Sequence, residues 1–247
     1  MLTEKPWKPY QVITLVLALV VSLCLGSLLV AALTHFIARN SEVDRKFLGF
    51  VISTMSFQGA ALLLIAIFLS HHDIGWKDAF GFSSANWGLS LGLGLVAIII
   101  SFRFTQWLGS LSMESLLWLS RRLHSPAIHP QPQEVVIQLQ ARMPLGYTLM
   151  YALFAIVLAP VAEEALFRGI LYPTIKQNGY PRAALWLTSV IFAVTHLNLM
   201  LVLPLTFLAL VLTLLYELTG NLIAPITAHC LFNAGNFYLM HQQRLPG

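Results

Sequence analysis

From Met143 to Ala162, and again from Ala183 to Tyr216, the chain carries no Asp, Glu, Lys or Arg. Runs like these leave few folds open. In hydrocarbon a segment must satisfy its own backbone N–H and C=O groups, which an α-helix does. Crossing takes about 20 mostly apolar residues. Between the two runs stand Glu163 and Glu164, side by side. An acidic charge at bilayer depth costs roughly 2.5–3.5 kcal/mol on insertion scales, so an intramembrane acid reads first as a functional residue with partners to be found.

Composition supports a membrane solvent. Only 10% of the 247 residues are charged, against about 25% in soluble domains, and the mean hydropathy is +0.76. The formal net charge of +4 suits contact with anionic lipid, and no nucleic-acid-binding pattern is present. Cys24 and Cys230 lie in apolar runs, which argues against a disulfide framework or a cysteine zinc site. The apolar run at 12–33 is too long for a signal-peptide core and reads as a retained first span.

The fold class expected is all-α, a polytopic membrane bundle of about seven transmembrane helices. They lie near 12–36, 47–70, 87–102, 145–170, 183–197, 202–216 and 222–240. Residues 105–119 are amphipathic and short, and read as an interfacial helix; an extension of the third span or an eighth span there are the alternatives. Residues 40–46 form a charged turn, and 83–86 a turn that opens a helix. Pro126, Pro130 and Pro132 mark a linker, with a short surface helix over 134–142. Trp7, Tyr10 and Trp87 fit an interfacial aromatic belt. The Lys/Arg balance between alternate loops is nearly even and favours an outside N-terminus only slightly. Polar residues suited to chemistry concentrate late in the chain. This divides it into N-terminal spans and linker (1–140) and a four-helix catalytic core (141–247).

Helical phase sorts the polar residues of that core. Glu164 and Arg168 are four apart and share a face, whereas Glu163 is turned about 100° from Glu164. Glu164 and Arg168 therefore read as a structural ion pair and Glu163 as the free carboxylate. Pro160 should kink the helix beside it. His229 and Asn233 also share a face, and His196 is the ionisable residue of its own span, four residues after Phe192. Asn236 lies nearly on the His229 face, as a neighbour of the site or as packing. Asn198, two residues after His196, is a candidate to border the site.

Three ordered motifs carry a family resemblance. Glu163 to Arg168 fits E-E-x-x-x-R, Phe192 to His196 fits F-x-x-x-H, and His229 to Asn233 fits H-x-x-x-N. Together they resemble the CAAX prenyl protease and bacteriocin-processing family of intramembrane proteases, over about residues 145–240. The resemblance implies an integral-membrane endopeptidase, expected in the plasma membrane, acting on a membrane-embedded or lipidated peptide or protein. It implies that Glu163 and His196 activate a water and that His229 and Asn233 stabilise the oxyanion. Glu163, His196 and His229 also match a His₂Glu zinc set, so zinc stays open as a cofactor beside a metal-free mechanism. A non-enzymatic scaffold or bacteriocin-immunity factor using the same polar core is the alternative function.

Overall fold

The computed structural model describes residues 4–36, 42–82, 87–131, 136–137 and 143–242. Among them there is no strand, and eight helices form a membrane bundle. α1 is Pro9–Phe36. α2 runs Glu42–Thr54, passes through a π-helical turn Met55–Gly59 and continues as Ala60–Ser70. α3 is the short Trp76–Phe80 and α4 is Trp87–Leu123. α5 runs from Leu145 to Gln177 with two π-helical turns, Phe154–Leu158 and Ala165–Leu171. α6 is Pro181–Val194, α7 Leu199–Thr219 and α8 Ile223–Gln242.

Each of the seven expected spans corresponds to one of these helices. Among the described residues five segments are long and apolar enough to cross: Pro9–Leu33, Asp44–Ser70, Trp87–Leu123, Leu145–Gln177 and Leu199–Thr219. α6 has only 14 residues, and at about 1.5 Å per residue it is too short to cross unaided. Residues 105–119 are not a separate interfacial helix. They continue α4 without a break, because no Gly-Pro signal interrupts 87–123 and a buried stripe of Ser90, Gly94, Ile98, Ser101, Thr105, Leu108 and Ser112 runs along one side. That stripe packs on α7 and α8. A Cβ on Gly94 would sit 2.7 Å from the Ala224 carbonyl, so the small residue sets how closely α4 and α8 approach. The turn at 83–86, residues 40–41 and most of the surface helix at 134–142 lie outside the described residues, and 42–46 are the first residues of α2 rather than a turn.

The lipid side is apolar, with Leu17, Leu25, Leu28, Ile99 and Ile100 exposed. Tyr10 and Trp87 are exposed near helix ends, but Trp7 is not a belt residue. It is buried, its Nε1–H donates to Thr174 Oγ1 at 2.9 Å, and its ring packs edge-on against Phe68. Beside it Lys5 Nζ donates to the Ala79 carbonyl at 2.6 Å, and burial pulls its ammonium below the ordinary lysine value. The N-terminal strap is thus tied to the ends of α3 and α5.

Two left-handed glycines close the bundle at one end. Gly81 (φ +76°) ends α3, and Gly220 (φ +63°) ends α7. They face each other, with the Leu222 N–H donating to the Phe80 carbonyl at 3.0 Å. A Cβ on Gly81 would lie 2.0 Å from the Gly220 carbonyl oxygen. Backbone strain and a backbone clash would coincide there. Gly81→Ala is expected to destabilise by more than about 2 kcal/mol, read as a melting-temperature drop in detergent; a melting temperature within a degree of wild type would contradict this packing.

Candidate active site

α5 carries the acids, α6 leads into His196, and α8 presents His229 and Asn233. α5 is regular at the glutamates themselves (Ala159–Glu164) but π-helical on both sides of them. The two turns share a cause. In each, a backbone N–H reaches five residues back, Ala159 to the Phe154 carbonyl and Tyr172 to the Phe167 carbonyl. The very next residue is a proline, Pro160 or Pro173. A proline ring clashes with the carbonyl four residues back, and the wider π turn relieves that crowding.

Glu164 is fully buried, and one of its oxygens holds three helices together. Oε1 accepts from Arg168 Nη1 at 2.9 Å and from His229 Nδ1 at 2.8 Å. Arg168 continues to α7, where Nη2 donates to the Ala209 carbonyl (3.0 Å) and Nε to Thr213 Oγ1 (3.4 Å). Its guanidinium lies 4.7 Å above the Phe192 ring. Phe192 is central to the site. Its ring centroid is 5.0 Å from His196, 5.7 Å from His229 and 5.3 Å from Phe167.

Glu163 stands in a different state. It is 7% exposed, and its Oε2 lies 3.9 Å from His229 Nε2. No donor among the described residues hydrogen-bonds it. The two adjacent acids thus approach opposite nitrogens of one imidazole. A carboxylate only accepts, so His229 Nδ1 carries the proton towards Glu164, and in the neutral ring Nε2 offers a lone pair towards Glu163. His196 follows the same rule. Nδ1 donates to the Phe192 carbonyl at 2.8 Å, which leaves Nε2 as its second nitrogen, and the side chain is half-buried just past the end of α6.

Asn233 is one turn beyond His229, and its Nδ2 donates to the Ala155 carbonyl at 2.7 Å. The proline explains this contact. In the π register the carbonyl of Ala155 awaits an N–H from residue 160, and Pro160 has none. The amide of Asn233 supplies the missing donor and keeps its second N–H. Asn236 accepts from Gln106 Nε2 of α4 at 2.8 Å and donates to the Phe232 carbonyl at 3.0 Å. Asn198 caps α7 by accepting from the Met200 N–H at 3.0 Å and donates to the Gln131 carbonyl at 2.9 Å, so it holds a loop beside His196.

Sequence reasoning did not foresee the second bond of Glu164, the Asn233–Ala155 bond or the Gln106–Asn236 bond. The spacing of Pro160 and Pro173 was the available signal for the π turns. Among the described residues no three His, Cys, Asp or Glu side chains gather as metal ligands. The His₂Glu set does not fit as arranged.

The architecture and the three motifs define a helical membrane protein with a carboxylate–imidazole core. Residues 145–235 match the family described as Type II CAAX prenyl endopeptidase Rce1-like. The uncharacterized protein YpbD of Bacillus subtilis (strain 168) is 36% identical over 91 residues, covering 35% of this chain and 44% of that protein. The chain thus matches less than half the length of this curated relative. No solved structure matches.

The Asn233 contact makes a test of the site's architecture. Asn233→Ala orphans a carbonyl and should cost about 1–3 kcal/mol. In a Pro160→Ala background the restored N–H can take the Ala155 carbonyl, so the same substitution should cost less, giving a coupling of about 0.5 kcal/mol or more in the cycle. Denaturation of the four proteins measures it; strict additivity would refute the proline account.

Proposed function

We propose that this protein is an intramembrane endopeptidase that uses Glu163 as the base for a hydrolytic water. One observation carries the reading: of two adjacent buried acids, Glu164 is committed through Oε1 to Arg168 and His229, while Glu163 has no hydrogen-bond donor among the described residues and abuts an imidazole nitrogen. A carboxylate held in low dielectric without a neutralising hydrogen bond is a competent proton acceptor.

The steps follow from the available atoms. A water gives one hydrogen bond to Glu163 and the other to the His196 Nε2 lone pair. Glu163 takes the first proton as the water oxygen bonds the scissile carbonyl carbon. The oxyanion is met by the second N–H of Asn233 and by His229 Nε2–H, which exists when both ring nitrogens carry a proton. Collapse breaks the C–N bond, and Glu163 returns its proton to the leaving amine. Glu164 and Arg168 hold His229 in place. No step uses a metal.

The family name supports a substrate class of prenylated C-termini, reached from within the bilayer as a lipidated or membrane-embedded peptide, with the plasma membrane as the proposed location. In this reading residues 1–140 supply scaffold and substrate guide, and 141–247 the catalytic core.

Glu163→Gln in purified protein is expected to lower kcat by about 10²–10⁴-fold with the fold retained, measured on an internally quenched, farnesylated peptide. Wild-type activity should survive chelator washing. Full activity in Glu163→Gln, or stoichiometric zinc that tracks activity, sinks this mechanism.

A further inference from the structure

α2 places an amide where nothing in the protein uses it. Gln58 lies in the π-helical turn Met55–Gly59, within a segment otherwise apolar enough to cross the membrane. It is four residues after Thr54, three before Ala61 and seven before Ile65, all three of them buried. That spacing puts Gln58 on the inward stripe of the helix. Leu63 and Ile67, 62% and 45% exposed, mark the opposite, lipid-facing side. The π turn packs against Ala159–Glu164, the piece of α5 that carries Glu163. Gln58 is half-buried and makes no hydrogen bond among the described residues.

An inward amide with neither donor nor acceptor matched is costly at bilayer depth. A π turn is itself a less favourable geometry that recurs at functional sites. Ser56, two residues away, shows that side chains here can satisfy themselves, since its Oγ donates to the Ile52 carbonyl at 2.7 Å. An extended peptide brings the complement of Gln58, one N–H and one C=O per residue, and in a membrane it must find partners for them. An amide side chain offers both a donor and an acceptor.

We propose that Gln58 is a substrate-binding residue that hydrogen-bonds a backbone peptide unit of the substrate across from Glu163. This rests on the peptidase reading above but concerns binding rather than chemistry. It also draws on α2, which lies outside the family-matched residues 145–235.

The test separates the two claims. Full-length protein carrying Glu163→Gln is reconstituted in liposomes and titrated with the quenched, farnesylated peptide, with and without Gln58→Leu. Loss of one or two peptide hydrogen bonds should weaken Kd by about five- to tenfold. In the Glu163-containing protein KM should rise by a similar factor, with kcat held within about twofold. The melting temperature of Gln58→Leu should not fall, because an unmatched amide is replaced by an apolar side chain, and Gln58→Asn should recover part of the binding. Unchanged Kd and KM in Gln58→Leu overturn the assignment. A lowered melting temperature with kcat lost as well overturns it too, by showing a structural amide. Wild-type protein that binds the peptide without cleaving it overturns the peptidase reading alone, and the Kd difference still decides Gln58. Protein that neither binds nor cleaves overturns both.

Discussion

A single carboxylate oxygen organises this bundle's interior. Glu164 Oε1 receives Arg168 from its own helix and His229 from α8, and Arg168 reaches on to α7. The pair is wholly buried, so its desolvation offsets much of its Coulomb attraction, and it is weak evidence for stability. Removing one partner is another matter, since it strands a charge and costs about 3–5 kcal/mol. Such a network holds three helices in one register because no partial arrangement is tolerable. It also assigns the proton on His229 Nδ1, which decides what Nε2 can do. The chemistry proposed for Glu163 is therefore conditional on Glu164: one acid fixes the imidazole that the other meets.

The backbone around the acids follows a second constraint. Pro160 and Pro173 bracket the E-E-x-x-x-R segment, each preceded by a π turn. A proline in a spanning helix always frees a carbonyl, and in a bilayer a free carbonyl must be answered by a neighbour. At Ala155 the answer comes from Asn233. The asparagine of the third motif thus has work in the resting protein, holding α8 against α5, and one N–H left over. Its contact with α5 arises from a residue the protein lacks a donor on.

Much of this was legible in the sequence, and the failures are instructive. Charge-free runs identified the helices because hydrocarbon leaves a backbone no other partner. Phase separated Glu163 from Glu164, since one residue on a helix is a large rotation. The same reasoning misjudged residues 105–119, where amphipathicity suggested an interface; the segment instead continues α4, and its exposed Gln106 bonds Asn236 of α8. It misjudged Trp7 as a belt residue, because belts and buried anchors both present an indole near a helix end. It could not see that Glu164 serves two donors. A helical wheel describes one helix, and the second donor arrives from 65 residues away.

The family-matched segment holds the acids, the histidines and the asparagine, yet packing does not respect its border. α4 lies along both α7 and α8, and its Gln106 fixes Asn236 one turn beyond Asn233. The N-terminal strap reaches α5 through Trp7 and Thr174. The π turn of α2 faces the very stretch that bears Glu163. Membrane helices have no hydrophobic drive to associate with one another, since lipid tails are as apolar as leucine, and so small-residue contacts and polar bonds must supply it. Here those bonds cross from the early helices into the later ones at several depths. Four helices carrying the motifs would leave Asn236, Thr174 and the inner face of α5 without the partners that hold them. Division at about residue 140 is therefore a division of motifs, while the bundle that positions Glu163 against His229 is a property of helices on both sides of it.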